Sequence, residues 1–150
     1  MQSPIFIDVP KHFSFKATVY SHGWCELAPF SLDKENWRLS YVFRNEANAA
    51  IPVVISEGNG RIRIDLAEPA ADAAWVVRCT RHLLRLDDDL GGLYEVITGH
   101  DRLQWVLERR AGRLLRSATV FEDLVKTICT TNCSWAVSYT HLTLPTICSV

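Results

Sequence analysis

Hydrophobic and polar positions alternate with a period of two through the first half of the chain. Phe13, Phe15, Ala17 and Val19 fall on one side of this alternation, with Ser14, Lys16, Thr18 and Tyr20 on the other. Trp37, Leu39, Tyr41 and Phe43 repeat it against Arg38, Ser40 and Arg44. Ile62, Ile64 and Leu66 do so against Arg61, Arg63 and Asp65. Successive side chains of a strand point to opposite faces, so these runs predict half-buried antiparallel strands. Gly58-Asn59-Gly60 lies between Val53-Val54-Ile55 and the third run and supplies a tight hairpin turn. Residues 1–68 read as a small antiparallel sheet.

The period then lengthens. From Ala71 to Leu86, Trp75, Cys79, Leu83 and Leu86 recur at steps of three and four, with Arg78, Arg81 and Arg85 on another face. This spacing predicts an amphipathic helix that covers the apolar side of the sheet. Asp87-Asp88-Asp89 and Gly91-Gly92 end it as a loop, and a shorter helix is expected over about 101–110, burying Leu103, Val106 and Leu107. Thr119 and Glu122 then have capping-box spacing, the threonine accepting a backbone N–H bond and the glutamate returning one. Behind them Phe121, Leu124, Val125, Ile128 and Cys129 form a helical stripe that belongs against a core. Little sequence is left to provide that core.

After Lys126 no Lys, Arg, Asp or Glu occurs to residue 150. Ser138-Tyr139-Thr140-His141-Leu142-Thr143-Leu144-Pro145-Thr146 lacks helical period and resembles a read-through peptide of adapter origin. A genuine terminal strand is the alternative.

Composition narrows the class. Of 150 residues 48% are hydrophobic and 22% charged, as in an ordinary soluble globular protein, with room for one compact domain or two small ones sharing a core. No apolar run is long enough to span a bilayer and no signal pattern opens the chain, which makes an intracellular protein the default. Cys25, Cys79, Cys129, Cys133 and Cys148 are odd in number and irregularly spaced, which argues against a disulfide framework. Cys129 and Cys133 lack a second ligand pair, so buried or half-buried thiols are expected rather than zinc.

The net charge of -1 does not announce a nucleic-acid partner, but its distribution is uneven. Five arginines (Arg102, Arg109, Arg110, Arg113, Arg116) face a single Glu108 between positions 102 and 116. The choice is between a solvated face paired to Asp87, Asp88 and Asp89, and a phosphate-binding run.

Residues 114–133, Leu-Leu-Arg-Ser-Ala-Thr-Val-Phe-Glu-Asp-Leu-Val-Lys-Thr-Ile-Cys-Thr-Thr-Asn-Cys, make the motif specific. They resemble the junction helix of helix-hairpin-helix DNA glycosylases, in the branch of 3-methyladenine and 8-oxoguanine glycosylases. There a Phe-Glu-x-Leu helix leads into a polar stretch holding Asn or Gln. The order upstream fits as well: a sheet domain, a covering helix with Arg-Leu-Asp-Asp-Asp-Leu at 85–90, then an arginine-rich run. The resemblance covers about residues 10–136. It implies an α+β fold, with a small antiparallel sheet and covering helix (a TBP-like N-terminal domain) over 1–90. The first helices of a truncated all-α domain would follow over 91–137, and 138–150 would be a non-native tail.

Such enzymes extrude a base from the duplex, and a residue must fill the vacated space. The resemblance puts Asn132 there, entering through the minor groove with a carboxamide that both donates and accepts. Asn132 as a simple helix-end turn is the other reading. Thr131, with Thr130 and Ser134, and Arg113 and Arg116 are expected at phosphates. The family's hairpin and catalytic aspartate find no match, since no Gly follows Gly112 and no acidic residue follows Asp123. The expectation is therefore an inactive N-terminal part of a DNA N-glycosylase. It would need no cofactor or metal, and its parent would act as a monomer on double-stranded DNA in the cytoplasm, at the nucleoid when bound. The alternative is a non-catalytic α+β module binding a small ligand or a protein. His12, His22, His82 and His100 are dispersed and signal no catalytic arrangement.

Overall fold

The computed structural model describes residues 3–67 and 72–131. Five strands form one antiparallel sheet: β1 (Ile5–Asp8), β2 (Ser31–Asp33), β3 (Arg38–Arg44), β4 (Ala50–Gly58) and β5 (Arg61–Leu66). Their order across the sheet is β1-β5-β4-β3-β2. Tyr41 pairs with Val53, and Ile55 stands between Leu39 and Ile64. The alternation of the sequence is realised here, because Leu39, Tyr41, Phe43, Val53, Ile55, Ile62, Ile64 and Ile7 all turn to one buried face. Asn59 and Gly60, both at positive φ, close the β4–β5 hairpin, the backbone that a two-residue Asn-Gly turn requires. The fold class is α+β, as expected.

The stretch read as a first strand is instead a short helix, α1 (Phe15–Val19), capped by Ser14, whose hydroxyl accepts the Ala17 N–H at 3.3 Å. Phe15, Thr18 and Val19 are its buried residues. That i, i+3, i+4 set is a helical face, and over so few residues it also contains an alternating pair. Trp37 does not continue β3 inward but sits in the preceding turn at φ 51°.

The covering helix is α2 (Ala73–Leu83), with Asp72 accepting the Trp75 N–H at 2.8 Å. Its buried face runs through Val76, Thr80 and Leu83, while Trp75 and Cys79 pack at its edge. Where Gly91-Gly92 suggested only a loop, α3 (Gly91–Thr98) begins, its entry fixed by the Asp89 carboxylate accepting the Gly91 N–H at 2.8 Å. A 3-10 turn over Asp101–Leu103 leads into α4 (Gln104–Glu108), so the expected 101–110 helix is shorter and tighter at its start. Leu103 is exposed, not buried. Tyr94, Ile97 and Val106 form a second small core beside Leu90, Leu107 and Ala111.

Last comes α5 (Val120–Thr130), where the Thr119 hydroxyl accepts the Glu122 N–H at 3.2 Å. Only this half of the expected capping box forms, because the Glu122 carboxylate is taken by Tyr41 and Lys126. Among the described residues no helix is long and apolar enough to cross a membrane, and no group of three His, Cys, Asp or Glu could hold a metal ion. Asn132, Cys133, Ser134, Cys148 and the 138–150 tail lie outside the described residues.

Candidate nucleic-acid interface

Of the residues singled out for DNA, Arg113 and Arg116 lie on a strap, 113–118, and Thr131 caps the end of the helix that follows it. The strap has no regular secondary structure, so its backbone groups need partners from elsewhere. The Leu115 N–H donates to Ser21 Oγ at 3.1 Å and its carbonyl accepts from His22 Nε2 at 2.9 Å. The Arg116 N–H reaches the Leu83 carbonyl at the end of α2 at 3.0 Å. The Ser117 N–H donates to Asp123 Oδ1 at 2.8 Å, and the Ala118 N–H to the Tyr41 hydroxyl at 3.2 Å. Leu115 itself is buried in the main core. The strap is thereby tied in turn to the segment after α1, to the end of α2, to α5 and to the sheet, which fixes the direction in which α5 leaves the fold.

The first turns of α5 are held by a buried polar network. Tyr41, on the inner face of β3, donates to Glu122 Oε2 at 2.7 Å. Lys126 is 1% exposed and donates to Glu122 Oε1 at 2.5 Å and Ser117 Oγ at 3.1 Å. Its ammonium lies 4.5 Å from the centre of the Phe30 ring. Burial pulls the Lys126 ammonium below its usual range, against the opposing pull of Glu122 and Asp123. Burial, with the hydrogen bond to Glu122, pushes the Tyr41 phenol up. Both shifts keep the phenol protonated and make the lysine dependent on its carboxylate. The i, i+4 spacing of Glu122 and Lys126 was visible in the sequence; the burial that makes the pair matter was not.

His22 accepts the Trp24 N–H on Nδ1 at 3.4 Å while Nε2 faces the Leu115 carbonyl. One acceptor and one donor nitrogen define the neutral imidazole. Burial lowers its pKa, the Leu115 carbonyl and Asp123 working the other way.

The expected phosphate-binding residues part company. Arg113 is 4% exposed, and its guanidinium donates to the carbonyls of Arg85 and Asp88. It closes the end of α2 against the strap through Nη1 and Nη2, while its Nε has no hydrogen-bond partner. Arg116 is half-buried, while Arg109 and Arg110 are exposed. The acidic loop is served by α2 and the turn that ends it, with Arg81 paired to Asp87 and Arg85 to Asp88. Asp87 to Asp89 therefore form no salt bridge with Arg109, Arg110, Arg113 or Arg116.

Thr131 is exposed at the end of α5, its hydroxyl donating to the Thr127 carbonyl at 2.7 Å. Asn132 is the next residue in sequence. The outer face of α5 is apolar, with Phe121 76% and Ile128 63% exposed beside Leu124 and Val120. Of the cysteines, Cys25 is buried and Cys79 and Cys129 are half-buried.

No protein-family model matches the chain, and no curated protein matches its sequence. The fold is similar to a solved 3-methyladenine DNA-glycosylase from Archaeoglobus fulgidus, with a TM-score of 0.69 and 17% identity. The likeness covers 93% of this chain and 48% of that one, so the chain spans about half the length of that structure.

Proposed function

We propose that this chain is the N-terminal half of a base-excision DNA N-glycosylase of the helix-hairpin-helix branch, acting as a monomer on double-stranded DNA within the cell. The observation that carries the reading is α5. Its Phe121-Glu122-Asp123-Leu124 start is anchored to the sheet through Tyr41 and Lys126, and it ends at Thr130, two residues before Asn132. The likeness of fold to a 3-methyladenine DNA-glycosylase supports it.

On this reading the Asn132 carboxamide occupies the space left by an extruded base and bonds its stranded partner. A helix held rigidly at its first turns delivers that group more precisely than a loop would. Thr131, adjacent to Asn132, then meets a flanking phosphate, and Arg116, at the other end of α5, meets one further along the backbone; such contacts position the duplex without reading it. Arg113 contributes by holding the strap that aims α5. Asp123 is occupied by the Ser117 N–H and is not assigned the bond-breaking role. The carboxylate that stabilises charge on the sugar belongs to the half of the fold this chain does not span. The chain alone binds DNA without excising bases.

A duplex with one abasic site offers the gap without the cost of extrusion. The chain is expected to bind it about fivefold or more tighter than the intact duplex, since extrusion costs a few kcal/mol. Asn132→Ala should remove that preference and leave folding stability within about 1 kcal/mol. In a protein carrying both halves, the same change should lower excision from paired duplex more than from single strand. Equal affinity of the unaltered chain for both duplexes would sink the proposal.

A further inference from the structure

A groove of about 890 Å³ opens between α1, the turn entering β3 and the 105–114 segment. Besides the buried Phe13, three accessible aromatic rings stand in its walls: Tyr20 at the end of α1, Trp37 in the turn, and Trp105 on α4. Tyr20 is 51% and Trp105 52% exposed, although large rings are normally covered. Trp37 is held at φ 51°, a backbone that bulky side chains rarely adopt and that concentrates at ligand-binding positions. Arg110 at φ 51° and Gly112 at φ 119° put two more left-handed residues on the facing wall.

Charge accompanies the rings. Lys16, Arg109 and Arg110 line the same walls, and Lys16 Nζ lies 4.7 Å from the centre of the Trp37 ring. Among the described residues none of the three is in a salt bridge. The buried Arg113 guanidinium adds charge at the floor, and its Nε has no hydrogen-bond partner. Glu57 and Glu108 are the groove's two carboxylates, which leaves it net positive.

We propose that this groove binds a short single strand of nucleic acid, with bases stacked on Tyr20, Trp37 and Trp105 and phosphates held by Lys16 and Arg109. Every unpaired base presents a π-face, and rings interleaved with cations along one groove serve such a strand without reading its sequence. A duplex hides those faces in its own stack and meets cations only through its phosphates. A mononucleotide has the same chemistry and would use one ring. The site is separate from the end of α5, so it stands or falls without Asn132.

The test is fluorescence titration of the whole chain with decathymidylate, with thymidine monophosphate, and with a ten-base-pair blunt duplex. Decathymidylate should bind tightest, and raised salt should weaken it. Trp105→Ala should weaken decathymidylate about tenfold, while Trp105→Tyr should lose little, because stacking is a property of the flat ring. Arg109→Glu should weaken binding and flatten its salt dependence. Trp105 and Arg109 are exposed, so the thermal melt of each variant should match the unaltered chain. No binding of decathymidylate, or a loss below about threefold in Trp105→Ala, would overturn the proposal. So would an equal loss on the duplex, or monophosphate binding as tight as the oligomer. Loss of the abasic-site preference in Asn132→Ala, with decathymidylate binding unchanged, would separate this groove from the glycosylase reading.

Discussion

The Tyr41 hydroxyl donates to Glu122 across 81 residues of sequence, joining the inner face of the sheet to the first turn of α5. It also accepts the Ala118 N–H from the strap, so one phenol oxygen fixes two segments that no ladder holds.

Tyr41→Phe should therefore cost about 2 kcal/mol, the range for a hydrogen bond to a charged group whose partner is left half-buried. Ring packing against Phe30 and Phe43 survives that change, so the loss should come from the hydroxyl alone. Urea unfolding of the two proteins measures it. A difference below about 0.5 kcal/mol would mean the strap and α5 are held without it.

Lys126 and Glu122 should behave as a pair. Lys126→Met leaves a partly buried carboxylate without its cation and should cost about 3 kcal/mol, whereas Lys126→Met with Glu122→Gln should cost clearly less than the two single changes added together. Additive losses in a double-mutant cycle would show that the two act independently.

How much of this was readable beforehand varies with the kind of interaction. Alternation placed Leu39, Tyr41, Phe43, Ile62 and Ile64 on the buried face, because a sheet imposes its period locally. The Thr119 cap and α5 were equally plain. Phe15 to Val19 misled because five residues do not distinguish a period of two from one of 3.6. The start of α3 was hidden by two glycines, whose low helix propensity is overridden by Asp89 and by burial of Tyr94 and Ile97. The strap carries no periodic signal at all, since each of its partners is distant in sequence. Arg113 illustrates the consequence: beside Arg116 in an arginine-rich run it looks like surface charge, and only the fold shows it buried with Nη1 and Nη2 bonded to carbonyls.

His22 should give the fold an acid-sensitive component. Burial lowers its pKa from the ordinary 6.5, so the unfolded chain takes up a proton before the folded one does. Its stabilising contribution is complete above about pH 6.5 and declines as pH falls toward the lowered value. Below that value both states are protonated and this component levels off. Comparing His22→Asn with the unaltered chain in urea at pH 7.5 and below 6.5 isolates it. The variant should lose less stability on acidification; an identical pH dependence would show that His22 is not the group responsible.

The outer face of α5 should contribute little to the stability of this chain. Phe121→Ser and Ile128→Ser remove side chains that are mostly exposed, so each should change stability by about 0.5 kcal/mol or less. The same changes should reduce binding of a hydrophobic dye, since an apolar patch is what such dyes report. A loss of about 2 kcal/mol or more from either would mean the face is covered within this chain.

Arg113 and Arg116 lie three residues apart and should separate cleanly. Arg113→Ala empties a buried position and strands the carbonyls of Arg85 and Asp88, so it should destabilise the fold by about 2 kcal/mol or more. Duplex affinity of the molecules that remain folded should keep its salt dependence, because that guanidinium is buried with two of its nitrogens on carbonyls. Arg116→Ala removes a half-buried side chain whose backbone, not its guanidinium, bonds Leu83. Its stability should stay within about 0.5 kcal/mol, while the slope of log affinity against log salt should flatten by about one unit as one phosphate contact is lost. Thermal melts and binding at three salt concentrations on both variants give the four quantities needed. If Arg113→Ala melts like the unaltered chain and flattens the slope, its guanidinium is free to meet DNA and the strap is held by its other bonds alone.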